Sequence, residues 1–382
     1  QQKGVDHPGH GSRDSRDLFV TDDARATRHL RHQANGGRPF GDRELGLGYR
    51  ANAADLDVRH HWAGKLWAQD GTVHPGRRWG PVSNAVWRWR SDRSTFGTMR
   101  PDLATPPPVL TDHLLHPLHG ELMTLLRGLR PEEWARPTEV PGWPVRRVVA
   151  HLVDTMLRRL SLQRDGHGPP PPAKPIDSGP ALLAFLNQLN ADWVEATDRL
   201  SPEVLIAILD RFGPEMADFL ARLRPHDEAI WPVAWAGEVR SENWMDVGRE
   251  YTERWHHQQQ IRAAVGAPLL TAPHWLGPII QLGVFALPVS YASLDAPTGT
   301  RVRVTVSGPA GGAWMLVKEP ARWRLTIDGT DPTAEVTLPE DLAWRTWYSS
   351  RRPRQEASVS VAAVRGDPVL AAPCLASRAL MV

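Results

Sequence analysis

Tyr251-Thr-Glu-Arg-Trp-His-His-Gln-Gln-Gln-Ile-Arg262 is the stretch that decides how this chain is read. Glu253 and His257 are four residues apart, which on a helix stacks them one turn above each other on one face. A carboxylate and an imidazole placed that way can grip one divalent ion. A third ligand from another helix would complete a three-ligand set with one position open, the arrangement that a catalytic zinc requires. Upstream, Val148-Val-Ala-His-Leu-Val-Asp154 carries a further histidine, His151, on another helical segment.

The helix carrying the pair is predicted to open at Ser241 and run to Val265, where Gly266 and Pro268 end it. Trp244, Val247, Tyr251 and Trp255 form its apolar stripe. Asp246, Glu250, Glu253 and His257 project from the other side. Two readings of that polar side stay open on spacing alone: a solvated face, or one wall of a polar cavity inside a bundle. His151 likewise flanks an apolar stripe, where a lone histidine is more often a packed or hydrogen-bonded residue than a ligand.

Outward from this segment the patterning is helical on both sides. Thr111 is the N-cap candidate ahead of a leucine stripe of Leu114, Leu115, Leu118, Leu122, Leu125 and Leu126. Pro141-Gly-Trp-Pro144 introduces a second helix with Val145, Val148, Val149, Leu152 and Met156 at helical spacing, and Pro144 suits its first turn. A Pro-rich loop covers 169–175. Further helices are expected at Pro180–Leu200, Pro202–Leu223 and, kinked by its prolines, Trp275–Ser293. After about Asp295 the period changes to two. Arg301-Val-Arg-Val-Thr-Val306, Trp314–Val317, Trp323–Ile327, Ala334–Leu338 and Ala357–Ala362 read as strands, with short helices at Leu338–Tyr348 and after Gly366-Asp-Pro368.

Composition bounds the function. Of 45 basic residues only Lys3, Lys65, Lys174 and Lys318 are lysine, and the formal net charge is +2. The arginines are scattered rather than clustered, so no nucleic-acid partner is expected. The single cysteine, Cys374, excludes an intrachain disulfide and is expected to pack as a small apolar residue. No signal peptide is visible, and the most apolar stretch, Trp275–Tyr291, is short and broken by Pro278 and Pro288. A cytoplasmic protein without a membrane partner is expected. Residues 1–98 show no periodicity, and helical patterning begins almost at once after Met99. That segment is expected to be a disordered or spurious N-terminal extension, with Met99 as the true start.

Pro141-Gly-Trp-Pro-Val-Arg-Arg-Val-Val-Ala-His-Leu-Val-Asp154, followed by Glu253-Arg-Trp-His-His-Gln-Gln-Gln-Ile-Arg-Ala-Ala-Val-Gly266, resembles the mycothiol-dependent maleylpyruvate isomerase family of DinB-like helical bundles. The resemblance extends from about Leu110 to the C-terminus and includes the Gly366-Asp-Pro-Val-Leu-Ala371 tail. It implies a DinB-like metal-binding bundle at 105–294, followed by a small C-terminal α+β domain at 295–382. It also implies a divalent metal, usually zinc, on His151, Glu253 and His257. His256 projects about 100° away and is the lesser ligand candidate, while Glu250 is the fallback carboxylate. The partners implied are the thiol mycothiol and a small electrophilic, maleylpyruvate-like substrate, in isomerisation or S-transfer. Arg147 stands where relatives often carry an acidic residue, and Gln260 where an Asp often follows; both departures bear on the substrate. Arg345, in Ala343-Trp-Arg-Thr-Trp347, is the candidate catalytic arginine for orienting carboxylates, its alternative being an ordinary surface residue. The rival function is a non-catalytic metal-binding or stress-linked regulatory module of the same fold.

Overall fold

Leucines at helical spacing bury one face of the first helix, α1 (Asp112–Arg127), with Leu115, Leu118, Leu122 and Leu126 nearly inaccessible. The structure is a computed structural model of the chain, and it describes residues 104–168, 176, 178–327, 329–348 and 362–379. The other helices of this half are α2 (Val145–Arg159), α3 (Gly179–Ala196), α4 (Pro202–Ala221) and α5 (Asn243–Val265). α1 packs on α4 and α5, and α2 packs on α3, α4 and α5. Then come α6 (Pro273–Gly283) and a single-turn α7 (Leu287–Ser290), joined by a 3₁₀ turn at Val284–Ala286. The expected kinked helix is therefore divided rather than continuous. Thr111 does precede α1, but its hydroxyl makes no capping bond and is buried without a partner among the described residues. α5 begins two residues later than expected and stops at Gly266, whose φ of 73° suits a residue without Cβ. Beyond it the Ala267 N–H bonds back to the Arg262 carbonyl at 2.9 Å.

The period-two segments form one five-stranded sheet of β1 (Arg301–Ser307), β2 (Gly312–Lys318), β3 (Trp323–Thr326), β4 (Ala334–Pro339) and β5 (Ala363–Gly366), in the order β3-β2-β1-β4-β5. β1 and β4 run parallel, with Val304 opposite Val336, and the other neighbours are antiparallel. Val302, Val304 and Val306 on β1, and Ala334, Val336 and Leu338 on β4, point to the covered face. α8 (Glu340–Tyr348) and α9 (Pro368–Ala376) lie against it, and α8 also packs on α6. Of the strand expected at 357–362 only Ala362 is described, just ahead of β5; the N-terminal extension and the 169–175 loop also lie outside the described residues. Cys374 is fully buried, and burial pushes its thiol up to about 12, which suits its expected apolar role. The fold is thus a helical half followed by a small α+β half, and buried side chains of both belong to one hydrophobic core. Among the described residues, no helix is long and apolar enough to cross a membrane.

Candidate metal centre

α2 and α5 bring three donors together. The Nε2 of His151 lies 2.9 Å from Oε1 of Glu253, and the Nε2 of His257 lies 3.1 Å from the same oxygen. All three donor atoms fall within 4.8 Å of one another. Zinc ligands bonded at about 2.0–2.2 Å in a tetrahedral arrangement sit a little over 3 Å apart. The chemistry of the set, two imidazoles and one carboxylate, suits a borderline divalent ion. Among the described residues this is the one group of three such donors.

The polar side of α5 is buried against α2. Asp246 and Glu250 are 0% and 7% exposed, which rejects the solvated-face reading. Glu250, the fallback ligand, is not in the cluster: Arg254 donates to it at 2.6 Å, and Arg249 and Arg159 lie at 3.4 and 3.7 Å. Trp143, from the Pro-Gly-Trp-Pro turn, packs its ring 5.2 Å from that of His151. His151 Nδ1 is buried with no hydrogen-bond partner among the described residues.

Electrostatics divide the two histidines. Burial lowers the pKa of His151, against the raising effect of its bond to Glu253. Burial also opposes protonation of His257, but the Glu253 charge and the hydrogen bonds of Glu253 and Gln260 outweigh it, and the pKa is raised. For Glu253, burial favours the neutral acid. The charge of His257 and the hydrogen bonds of both histidines overcome that and hold the carboxylate well below its usual range. The arrangement is a carboxylate anion between one neutral and one readily protonated imidazole.

Glu139 is a member of this surround that the sequence did not single out. The Nδ1 of His257 donates to Oε1 of Gln260 at 2.7 Å, and Gln260 donates through Nε2 to Glu139 at 3.1 Å. His256 points its Nε2 toward the same Glu139 oxygen, 3.5 Å away. The His256 contact, with help from Gln260 and against burial, lowers the Glu139 pKa. No spacing rule links a loop glutamate to a helix more than a hundred residues later; only the fold of the 136–144 turn, closed by a bridge between Pro137 and Pro144, brings it there. Gln260 thus orients a ring nitrogen, the task an outer carboxylate performs around metal-binding histidines.

Arg345 lies on α8 with its Nε 3.0 Å from both carboxylate oxygens of Asp341, and its guanidinium 4.4 Å over the Trp344 ring. It is close enough to Glu139 to help lower that carboxyl's pKa. Beside it Tyr348 faces His256, with ring centroids 6.4 Å apart. The sheet-bearing half therefore contributes one wall beside the cluster.

Comparison with known proteins gives these features a context. Two uncharacterized proteins of Mycobacterium tuberculosis, from two strains, are each 26% identical over 240 residues, covering 60% of this chain and 84% of their own length. Crystal structures of a mycothiol-dependent maleylpyruvate isomerase and of a histidine-to-alanine mutant of it align at 12% identity. Each alignment covers 62% of this chain and 86% of that one, with TM-scores of 0.38 and 0.37 respectively. Residues 115–262, spanning α1 to nearly the end of α5, match the family model of the mycothiol maleylpyruvate isomerase N-terminal domain. It is this helical region that is similar to the mycothiol maleylpyruvate isomerase family.

Proposed function

We propose that the chain is a metal-dependent, mycothiol-using isomerase or S-transferase acting on a small electrophilic, maleylpyruvate-like substrate. The observation that carries this reading is the convergence of His151 and His257 on one oxygen of Glu253, in a helical region that matches this family's N-terminal domain model. His151, Glu253 and His257 would hold the ion, for which zinc is the best match. When bound, such an ion would supply positive charge that favours the thiolate form of a thiol.

The protein's own groups do the rest. Gln260 holds the His257 Nδ1 proton, so that Nε2 is the nitrogen facing the cluster. Trp143 and the walls of α2 and α5 keep water from the buried side of His151. Arg345 is proposed to turn from Asp341 to a substrate carboxylate, a bidentate pairing that guanidinium favours. A bound thiol would supply the nucleophile for a cis double bond conjugated to a carbonyl, whose oxygen would take up the displaced π electrons; the addition would be reversed in an isomerase and kept in a transferase.

The test is cobalt substitution followed by titration with mycothiol. A new sulfur-to-metal charge-transfer band at saturating thiol is expected. A cobalt protein whose spectrum stays unchanged would favour a non-catalytic metal-binding module instead.

A further inference from the structure

Two turns from the donor cluster, α2 and α5 meet again through charged side chains that the proposed chemistry does not use. Arg159, 1% exposed, donates from both Nη atoms to the two oxygens of Asp246, itself fully buried; the longer bond measures 3.3 Å. Arg249 donates to the same carboxylate at 2.6 Å. The Arg159 guanidinium also lies 4.9 Å from the centroid of the Trp231 ring. This is an expensive way to join two helices, because an apolar pair of similar volume often stabilises a core as well or better than a buried ion pair.

The spacing explains what the pair can do. His151 and Arg159 are eight residues apart on α2, about 12 Å along the axis at 1.5 Å per residue. Glu253 and Asp246 are seven apart on α5, about 10.5 Å. The helices run antiparallel, so His151–Glu253 and Arg159–Asp246 form two rungs of one ladder with nearly equal spacing. Apolar side chains tolerate sliding, since their attraction has no direction. A two-pronged guanidinium–carboxylate pair does not, because displacing either helix breaks both hydrogen bonds and leaves two charges buried.

We propose that Arg159 and Asp246 are positioning residues: their pair sets the longitudinal register of α2 against α5 and thereby delivers His151 to the metal centre. This rests on the metal reading above. Arg159 makes no hydrogen bond or ion pair with the three donors, its charged partners being Asp246 and Glu250, so it is placed to act on metal binding through helix register.

The experiment is a cobalt titration of the full-length protein, the double variant Arg159→Met with Asp246→Leu, and Asp246→Glu, with unfolding measured in parallel. The double variant is expected to keep its unfolding midpoint, or raise it, while binding cobalt at least tenfold more weakly with an altered visible spectrum. Asp246→Glu keeps the charge but lengthens one rung by a methylene. It is expected to stay folded and also to lose several-fold in affinity, which keeps the proposal testable if the double variant fails to fold. Wild-type cobalt affinity and spectrum in a folded variant of either kind would overturn the positioning role while leaving the metal reading intact. A wild-type protein that takes up no cobalt would overturn the metal reading and this proposal with it.

Discussion

Trp255 and Trp344 meet edge to face with ring centroids 5.2 Å apart. Trp255 is on α5, between Glu253 and His257 in the chain, and Trp344 is on α8; both are buried. This contact ties the helix carrying two of the three donors to the sheet-bearing half. Trp344→Ala is expected to cost about 3–5 kcal/mol of stability, the usual range for emptying a buried aromatic site. Urea denaturation checks it: a midpoint shift worth less than about 1 kcal/mol would mean that the two halves do not rely on this contact.

The ligand assignment predicts unequal effects of adjacent histidines. His257→Ala removes a ring whose Nε2 is 3.1 Å from Glu253, whereas His256 faces Glu139 instead. Bound zinc measured after dialysis should fall sharply in His257→Ala and stay mostly intact in His256→Ala. Equal losses from both, or none from either, would reject the assignment.

Gln260→Ala cuts the link between His257 Nδ1 and Glu139 without removing a donor. Loss of an outer partner that orients a metal-binding histidine typically weakens metal affinity about 10–100-fold. That loss is expected here, with little change in unfolding midpoint, and competition with a chromogenic chelator measures it. Unchanged affinity would reduce Gln260 to a hydrogen bond without influence on the metal.

Acid stability carries the mark of His119. Its ring sits against Gly213, its Nε2 has no partner among the described residues, and burial lowers its pKa to about 4. In the unfolded chain an imidazole titrates near 6.5. The unfolded state therefore binds the proton more readily. The stability His119 contributes is complete above about pH 6.5 and drains away as the pH falls towards 4. Asp154 works in the opposite sense, since burial raises its carboxyl from 3.8 to about 6, and its ionisation disfavours the fold as the pH rises through that interval. The comparison that isolates His119 is wild type against His119→Gln across this range, both carrying Asp154. The variant should lose less stability on acidification; parallel curves would show that His119 titrates normally.

Much of the helical half was legible because helix formation repeats a local rule. The leucine stripe of α1, the valine stripe of α2 and the start of α4 at Pro202 all follow from spacing within one segment, as does the alternation of Val302, Val304 and Val306. Boundaries were less secure. The segment after Trp275 divides into α6, a tight turn and α7, because Pro278 is accommodated inside α6 and the chain breaks later, at Val284–Ala286. The Thr111 hydroxyl turned inward instead of capping, a choice made by the packing around it.

For the candidate site the division is sharper. The sequence alone determined that Glu253 and His257 share a helix face, since four residues make one turn whatever surrounds them. Resemblance added His151. Only the tertiary structure decided that the face bearing Asp246 and Glu250 is buried, that Glu250 belongs to the arginines, that Glu139 reaches Gln260, and that Arg159 meets Asp246 two turns from the donors. Each of these depends on residues from separate elements. Spacing along the chain governs neighbours within one helix, but contacts between helices depend on how their surfaces interlock, which no single segment encodes.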